Sequence, residues 1–338
     1  MSVQAEQSVQ ANQAKRPVVL VTSRSFGSGH ADPEALLAGA GLDVVRGDPA
    51  HGLDALTDPL ARASGWIAGS APVRAEHLRQ APRLRIVARY GTGVDAVDLA
   101  AAQARGIVVT NTPGANTEAV ADYTLALITS STRNVVEADR AVREGSPCRF
   151  VGRELGSLTV GVIGMGNIGR AVARRMAGLG AAVLGADPAV PADIFDRYDV
   201  RPCPLDELVR SCDVISLHCP GGGPPVLDRA LLANVRAGAV IVNTARADVV
   251  DESALAELLH AGKLGAVASD VTSDENGPLR SAPRAVLTPH IAGHTAEAVD
   301  RMGMTAAQDV RRVLVGNEPP SHPVPRRRGV SADDAGQG

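Results

Sequence analysis

The stretch Thr159-Val-Gly-Val-Ile-Gly164-Met-Gly166-Asn-Ile-Gly169-Arg170 contains three glycines with the spacing G-x-G-x-x-G. The apolar residues before Gly164 predict a buried strand, and the residues from Asn167 onward predict a helix. In such a unit the first glycine permits the tight turn, the second lets the backbone approach a pyrophosphate, and the third lets the helix pack closely on the strand. The N–H groups and the dipole at the start of the helix favour a bound phosphate. The stretch therefore predicts a dinucleotide-binding turn.

Asp187 lies at the position that distinguishes NAD from NADP in dinucleotide-binding units. The second predicted strand, Ala182–Ala186, ends at Asp187, eighteen residues beyond Gly169. A carboxylate here accepts hydrogen bonds from the adenosine ribose hydroxyls and repels a 2′-phosphate. A G-x-G-x-x-G turn by itself can be purely structural, so the strand, helix and acid at the required places decide the interpretation. The sequence predicts NAD as the cofactor.

Composition narrows the class of protein. The chain has 338 residues, of which 45% are hydrophobic and 2% aromatic, which predicts two domains with aliphatic cores. The net charge of −3 and the lack of a basic face argue against nucleic acid as a partner. No apolar run approaches the ~18 residues of a membrane span, so no membrane partner is expected. Four cysteines without a C-x-x-C pair indicate a reducing cytoplasm, and no metal site is expected.

Short β-branched segments alternate with alanine- and leucine-rich segments along most of the chain. This alternation predicts an α/β protein with parallel sheets and helices on both faces of each sheet. The first series of predicted strands is Val18–Val21, Asp43–Arg46, Trp66–Ala68, Arg85–Ala88 and Ile107–Thr110. The second series is Val160–Ile163, Ala182–Ala186, Val214–His218, Ala239–Asn243, Ala266–Val271 and Ala285–Leu287. Two series predict two sheets.

The order of these segments predicts the domains. The longest helical pattern runs from Thr117 to about Val142 and precedes the nucleotide motif. The last helical pattern, Thr295 to about Val315, can return to the first domain and make it discontinuous. We therefore expect two Rossmann-like doubly wound domains, with a disordered leader and a flexible tail. The expected ranges are 1–14 for the leader, 15–112 with 295–322 for a substrate domain, 113–294 for the NAD-binding domain and 323–338 for the tail.

Three predicted strand ends of the second series carry reactive side chains. Arg246 follows one strand, Asp270 and Glu275 follow another, and His290 follows a third. Ligands bind at the carboxyl ends of parallel strands, so we expect these groups near the nicotinamide. Arginine suits a planar carboxylate, histidine suits proton transfer near neutral pH, and a neighbouring carboxylate raises the pKa of a histidine. Each residue alone is more often structural, but their convergence behind a nucleotide motif favours catalysis.

The chain resembles the D-isomer-specific 2-hydroxyacid dehydrogenase family, which includes phosphoglycerate, glycerate and formate dehydrogenases. The resemblance extends from about Val18 to Val315. It implies hydride transfer between NAD(H) and a small 2-oxo or 2-hydroxy acid, and a homodimer in which the predicted helix from Thr117 packs across a two-fold axis. The motifs that carry it are Arg89-Tyr-Gly-Thr-Gly-Val-Asp95, Asn111-Thr-Pro-Gly-Ala-Asn116, Gly164–Gly169, His218-Cys-Pro220, Asn243-Thr-Ala-Arg246, Asp270-Val with Glu275, and Thr288-Pro-His-Ile-Ala-Gly293.

The resemblance also implies roles for individual residues. Arg246 would bind the substrate carboxylate and polarise the 2-oxo group, and His290 would protonate that oxygen. Glu275 would keep His290 protonated and aligned, and the amides of Thr92 and Gly93 would bind the other side of the carboxylate. Asp270 would bind the nicotinamide carboxamide. The full cofactor set implied is Gly164, Gly166, Asn167, Ile168, Gly169, Asp187, His218, Cys219, Pro220, Thr244, Ala245, Asp270 and Gly293.

The chain departs from the family pattern in three places. Asn276-Gly277 follows the expected catalytic glutamate where the family commonly has proline. Gly221-Gly-Gly-Pro-Pro225 follows Pro220 where the family usually has Leu-Thr-Pro-Glu-Thr, so the cofactor contacts of that segment are not carried over. Where phosphoglycerate dehydrogenases carry an arginine that meets the phosphate, this chain has Gly69 followed by Ser70, a candidate substrate contact. Arg24, after the first strand, can replace that charge, although an exposed loop arginine is the simpler interpretation.

Two alternatives to a reductase of a small 2-oxo acid stay open. The first is a dehydrogenase for an acid that bears a phosphoryl or phosphonate group, which Arg24 and Arg89 motivate. The second is a non-catalytic NAD-sensing protein, because the same fold serves as a transcriptional corepressor. The presence of Arg246, Glu275 and His290 does not exclude the second, since that branch keeps the triad.

Overall fold

The computed structural model describes residues 16–274 and 276–325, so the expected leader, Glu275 and residues 326–338 lie outside the described residues. The chain divides into two compact units. Of the described residues, 16–116 and 295–325 form the first unit, and those from 117 to 294 form the second.

The first unit is built on a five-stranded parallel sheet with the order β2-β1-β3-β4-β5. This is a doubly wound order whose direction reverses between β1 and β3. The strands are β1 (Val18–Val21), β2 (Asp43–Arg46), β3 (Ala63–Ala68), β4 (Ile86–Arg89) and β5 (Val108–Thr110). The helices are α1 (Pro33–Gly39), α2 (Leu53–Arg62), α3 (Ala75–Gln80), α4 (Leu99–Ala104) and the late helix α12 (Ala296–Arg311), which a last turn, Arg312–Gly316, extends.

The second unit is built on a seven-stranded parallel sheet with the order β12-β11-β10-β9-β6-β7-β8. Its direction reverses between β6 and β9, as in dinucleotide-binding sheets. The strands are β6 (Thr159–Ile163), β7 (Ala182–Ala186), β8 (Arg201–Pro202), β9 (Val214–Leu217), β10 (Val240–Asn243), β11 (Ala266–Ser269) and β12 (Ala285–Leu287). The helices are α5 (Thr117–Thr132), α6 (Val135–Arg143), α7 (Asn167–Gly178), α8 (Ala192–Arg197), α9 (Leu205–Ser211), α10 (Arg229–Leu232) and α11 (Glu252–His260), with short 3₁₀ turns at Leu155–Ser157, Ala247–Val249 and Pro278–Ser281.

These topologies confirm the predicted fold class of two doubly wound parallel sheets. The central strands are buried throughout, which is why their sequences are continuously apolar rather than alternating. In the second unit, two apolar clusters cover the two faces of the sheet; Ile215 and Ile241 belong to one, and Val160 and Val242 to the other. Among the described residues, none of the helices is long and apolar enough to cross a membrane.

The prediction of one continuous helix from Thr117 to about Val142 is wrong. The chain leaves the helical conformation at Asn134, whose φ of 54° lies in the left-handed region that asparagine tolerates better than most residues. The amide oxygen of Asn134 accepts a hydrogen bond of 2.6 Å from Nη2 of Arg284, which holds this break. Helix α5 is largely buried, whereas α6 buries none of its residues.

Smaller differences occur at the sheet edges. The strand β8 was not predicted, because it has two exposed residues and no apolar run; its proline is tolerated at the edge of the sheet. The predicted strands Val214–His218 and Ala266–Val271 end at Leu217 and Ser269, where the chain turns into the loops of the carboxyl edge.

A buried carboxylate joins the opposite edge of the second sheet. Asp213 accepts from the Thr159 amide at 2.9 Å and from Nη1 of Arg153 at 3.0 Å, and its Oδ1 lies 3.2 Å from Nη1 of Arg236. Burial by itself would raise the pKa of Asp213, but the amide and the two guanidinium groups outweigh it and hold the pKa below its usual 3.8. The stability that Asp213 contributes is therefore present above that pH and is lost as pH falls through the lower folded pKa.

We expect Asp213→Asn to lower the free energy of unfolding by about 1–3 kcal/mol at neutral pH, because two guanidinium groups lose their charged partner. Asp139→Asn is the matched control, since Asp139 pairs with Arg143 on an exposed helix surface and should have no measurable effect. Urea denaturation of both variants at neutral pH measures the difference. Equal stability of the two variants would contradict this assignment.

Candidate active site

The glycine turn after β6 is shaped by backbone contacts that admit no side chain at two of its three glycines. Gly164 has a φ of +93°, and a Cβ there would lie 2.6 Å from the carbonyl carbon of His218. A Cβ at Gly169 would lie 1.9 Å from the carbonyl oxygen of Gly164, so α7 can begin against the turn only with glycine. A Cβ at Gly166 would meet nothing within 4 Å, so the backbone is open on that side. The contacts at Gly164 and Gly169 agree with the tight turn and the close helix packing that the sequence predicted, and the approach of a pyrophosphate to Gly166 stays a prediction.

Asp187 lies beside this turn at the end of β7. Its Oδ2 accepts from the amide of Met165 at 2.7 Å, and its Oδ1 accepts from the amide of Ala189 at 2.8 Å. The carboxylate is half-buried, and a carboxylate oxygen can accept a further hydrogen bond, so a ribose hydroxyl can share it. Asp187 therefore shapes the turn as well as presenting a negative charge.

The segment His218-Cys219-Pro220 packs against the other side of the glycine turn. Nε2 of His218 lies 2.8 Å from Oγ of Ser216. Burial lowers the pKa of His218 to about 3, so its ring is neutral at physiological pH. Burial also raises the pKa of the Cys219 thiol, so this group stays protonated and weakly reactive. This segment can thus flank a nucleoside without adding charge.

Arg246 is presented by a turn that follows β10. The buried amide of Asn243 accepts from the N–H of Ala245 at 3.0 Å and donates to the carbonyl of Arg246 at 2.8 Å. Nη1 of Arg246 donates to the carbonyl of Ala245 at 2.8 Å, and the residue is half-buried. The side chain of Asn243 therefore fixes the backbone that carries the guanidinium. Thr244, within the same turn, lies 2.9 Å from Thr124 of α5 through their hydroxyls.

His290 is presented by a turn after β12 that one buried carboxylate holds. Asp270, which is 2% exposed, accepts from the Thr288 hydroxyl at 2.6 Å and from the amides of Ile291 at 3.0 Å and Ala292 at 2.8 Å. The carbonyl of Asp270 accepts from the amide of His290 at 3.0 Å. His290 itself is exposed and has a φ of 58°. The predicted contact of Asp270 with a carboxamide stays a prediction; the structure shows that it organises the histidine turn, which continues to Gly293.

The segments beside Arg246 and next to Glu275 are also anchored. Glu252 accepts from the amide of Ser273 at 3.0 Å and from its hydroxyl at 2.5 Å, which fixes the chain shortly before the undescribed Glu275. The loop Gly221–Gly223 is held by Asp248, whose Oδ2 accepts from the amide of Gly222 at 2.6 Å. A Cβ at Gly221 would lie 2.3 Å from Oδ1 of Asp248, so a side chain there would displace the carboxylate that holds this loop.

The first unit contains the predicted substrate loop Gly91–Gly93. The side-chain Nδ2 of Asn111 donates to the carbonyl of Thr92 at 2.7 Å, and the backbone N–H of Thr112 donates to the carbonyl of Gly91 at 3.0 Å. Oγ1 of Thr92 donates to Oδ1 of Asn116 at 3.2 Å. The motif from Asn111 to Asn116 therefore holds the carbonyls of this loop, which leaves the amides of Thr92 and Gly93 outside these contacts. Arg24 and Ser70, the other candidate substrate residues, are both exposed.

No catalytic or binding role was predicted for Asn243, Asn111 or Asn116, although these residues lie in the motifs that carry the family resemblance. An asparagine side chain commonly accepts a hydrogen bond from the backbone N–H two residues later, and Asn243 does so with Ala245. This local pattern could have identified Asn243 from the sequence. The contact of Asn111 with Thr92 joins residues nineteen positions apart, and nothing local announces it.

Comparison with known proteins defines the family. Residues 125–292 match the family model described as D-isomer specific 2-hydroxyacid dehydrogenase, NAD binding domain. The chain is 40% identical over 257 residues to D-3-phosphoglycerate dehydrogenase of Mycobacterium bovis. The aligned segment covers 74% of this chain and 49% of that protein. It is 38% identical over 262 residues to a glyoxylate reductase of Korarchaeum cryptofilum, which covers 74% of this chain and 79% of that protein. The solved structure of the TT0316 protein from Thermus thermophilus matches 91% of this chain and 100% of its own, with 35% identity and a TM-score of 0.82.

The fold and the glycine turn define a dinucleotide-binding protein of two doubly wound units. The chain belongs to the D-isomer specific 2-hydroxyacid dehydrogenase family. Its second unit contains the NAD-binding domain of that family, which confirms the predicted cofactor. The chain spans about half the length of the phosphoglycerate dehydrogenases that it matches.

Gly166→Ala should fold as the native protein does but bind NADH at least ~10-fold more weakly, because the new methyl occupies space that only the cofactor uses. Gly169→Ala should destabilise the second unit, since its Cβ meets a backbone oxygen. Gly178→Ala, at the far end of α7 in open space, is the control and should change neither property. Thermal melting and NADH fluorescence titration separate these outcomes; unaltered NADH affinity in Gly166→Ala would refute the assignment.

Proposed function

We propose that this protein transfers a hydride between NAD(H) and a small 2-oxo or 2-hydroxy acid. One observation carries the proposal: the glycine turn, Arg246 and His290 follow β6, β10 and β12, so all lie at the carboxyl edge of one parallel sheet. Ligands of such sheets bind at this edge. Two relatives, named D-3-phosphoglycerate dehydrogenase and glyoxylate reductase, support the reaction class.

NADH, when bound, supplies the hydride. The planar guanidinium of Arg246 suits a carboxylate, which it can grip with two N–H groups, and its charge polarises an adjacent 2-oxo group. We propose that His290 donates the proton to the 2-oxo oxygen and takes it back in oxidation. We propose that Glu275 favours the imidazolium, and that the amides of Thr92 and Gly93 also bind the carboxylate. The Asp270 and Asn243 contacts hold two of these groups in place before substrate arrives.

The surroundings of Gly69 support a substrate without a phosphoryl group. A Cβ at Gly69 would lie 2.7 Å from the carbonyl oxygen of Thr22, so the backbone here leaves no room for a phosphate-binding side chain. Nη1 of Arg89 donates to the carbonyls of Ala68 and Tyr90, at 3.3 and 2.7 Å, so this nitrogen is occupied at the strand ends. We therefore prefer a small unphosphorylated 2-oxo acid.

We also propose a homodimer formed through α6 and the segment that follows it. No residue of α6 is buried, and four apolar side chains of this region are exposed: Val135, Val142, Phe150 and Val151. Such a cluster typically marks a protein interface.

The four cysteines are all free thiols, which supports our proposal of a reducing cytoplasm.

His290→Ala should lower kcat for 2-oxo acid reduction by at least ~10²-fold, because the proton donor is lost. His294→Ala is the matched control, an exposed histidine in the next turn, and should keep full activity.

In the native protein, reduction should fall and oxidation should rise as His290 loses its proton with increasing pH, and Glu275→Gln should move this change to lower pH. The loss of NADH absorbance with a panel of 2-oxo acids measures these rates. Full activity of His290→Ala, or no turnover of any acid by the native protein, would refute the function.

Val142→Asp should convert the dimer into a monomer without loss of NADH binding, because a charge is placed in the centre of the proposed interface. Val315→Asp, which changes another exposed apolar residue but in the first unit, should leave the dimer intact. Sedimentation velocity at micromolar concentration gives both masses. A native protein that sediments as a monomer would rule out this interface.

A further inference from the structure

The reversal of strand order in the first unit lies between β1 and β3, and both strands end at the same edge of the sheet. In open α/β sheets a ligand binds in the crevice at such a reversal. Arg24 follows β1 and Ser70 follows β3, and both are exposed at this edge. The topology thus favours these two residues as ligand contacts independently of any relative.

A buried polar network lies directly beneath these two positions. The hydroxyl of Thr22 lies 2.7 Å from Nε2 of His51. The same hydroxyl accepts from Nε1 of Trp66 at 3.0 Å and from the amide of Gly69 at 3.3 Å. Nδ1 of His51 lies 3.0 Å from the carbonyl of Pro72. Thr22, His51 and Trp66 are at most 3% exposed.

The partners fix the protonation state of His51. A carbonyl only accepts, so Nδ1 of His51 carries a proton and donates it to Pro72. The Thr22 hydroxyl already accepts from Trp66 and Gly69, so it donates its own proton to Nε2 of His51. Every donor and acceptor of this group is then satisfied with a neutral imidazole. A proton on Nε2 would place two donors against each other.

A second histidine braces the first. The amide of Arg74 donates to Nδ1 of His77 at 3.0 Å, so Nε2 of His77 donates to the carbonyl of His51, also at 3.0 Å. His51 has a φ of 58°, a left-handed conformation that this carbonyl contact helps to hold. The rings of His51 and Trp66 pack with centroids 5.0 Å apart. The network therefore ties the segments after β1, β2 and β3 into one assembly.

We propose that neutral His51 is a positioning residue for substrate selectivity: through Thr22 and Pro72 it fixes the spacing of the loops that carry Arg24 and Ser70. The inference rests on the proposed function, because it assigns these loops to the substituent on the 2-oxo acid. A substrate with no substituent makes no use of that spacing, whereas a substituted acid does. His51 therefore sets the preference between the two.

The charges around His51 make this preference dependent on pH. Burial lowers the pKa of His51, and His77 on α3 and Arg89 on β4 lower it further; the hydrogen bond to Pro72 and the charge of Asp48 oppose them without restoring the usual 6.5. The neutral form thus predominates above pH 6.5. As pH falls through this lowered pKa, His51 gains a proton and the hydrogen bond from Thr22 is lost.

The test compares hydroxypyruvate with glyoxylate, which has a hydrogen in place of the hydroxymethyl group. The measured quantity is kcat/KM for hydroxypyruvate divided by kcat/KM for glyoxylate. Effects on the proton transfer, which both reactions share, cancel in this ratio. In Thr22→Val, which removes the hydroxyl at nearly constant shape, we expect the ratio to fall about tenfold through KM for hydroxypyruvate. Thr22→Ser should restore it. Thr132→Val, which removes a buried hydroxyl from α5, is the control and should leave it unchanged.

Two further measurements separate positioning from general loss of stability. The native ratio should fall as pH decreases through the lowered pKa of His51. In His51→Asn, which keeps a donor to Pro72 and suits a left-handed residue, the ratio should be independent of pH. Hydrogen exchange by mass spectrometry should show faster exchange of residues 69–73 in Thr22→Val, with the second unit unaffected.

An unchanged ratio and unchanged exchange in Thr22→Val would overturn the proposal, and so would an equal fall of the ratio in Thr132→Val. If the native protein reduces none of the 2-oxo acids in the panel, the proposed function fails on its own. Exchange at residues 69–73 then decides whether the network positions these loops: faster exchange in Thr22→Val supports it, and unchanged exchange refutes it.

Discussion

The contact of Gly169 with the carbonyl oxygen of Gly164 leaves no room for a side chain. Because α7 starts against the end of β6, its first N–H groups and its dipole point to the space above the turn. The opposite side of the turn packs on the backbone of His218, and Asp187 closes the end of β7. This backbone contact therefore sets where the N-terminus of α7 lies relative to the carboxyl edge of the sheet, which is the edge at which we propose that the dinucleotide binds.

Beyond the strands, the chain must satisfy its backbone groups without a sheet ladder, and buried side chains do this in both units. Asp270 receives three donors from the turn that carries His290, and Asn243 spans the turn that carries Arg246. Asn111 and His51 do the same for loops of the first unit. Groups held in this way lose little conformational freedom when a ligand binds, which is the physical meaning of a preorganised site.

The sequence predicted what local signals determine. The glycine turn, Asp187 and the central strands depend on spacing and on continuous apolar runs, and each lies where it was expected. The helix break at Asn134 depends on Arg284, which is 150 residues away in sequence, so a periodic pattern could not show it. The sequence also identified Asp270, but not that its carboxylate holds the histidine turn, because those donors come from another strand end. Glu275 stays a prediction, since it lies outside the described residues.

Position 69 is coupled to the buried network through which we propose that His51 affects substrate selectivity. Its amide donates to the Thr22 hydroxyl, and its missing side chain allows the carbonyl of Thr22 to approach. A larger residue here must displace the segment after β1, and with it the hydroxyl that satisfies His51 and Trp66. An arginine at position 69 and the buried network of this chain are therefore alternatives. An arginine at position 69 would therefore require changes at Thr22 and His51 as well.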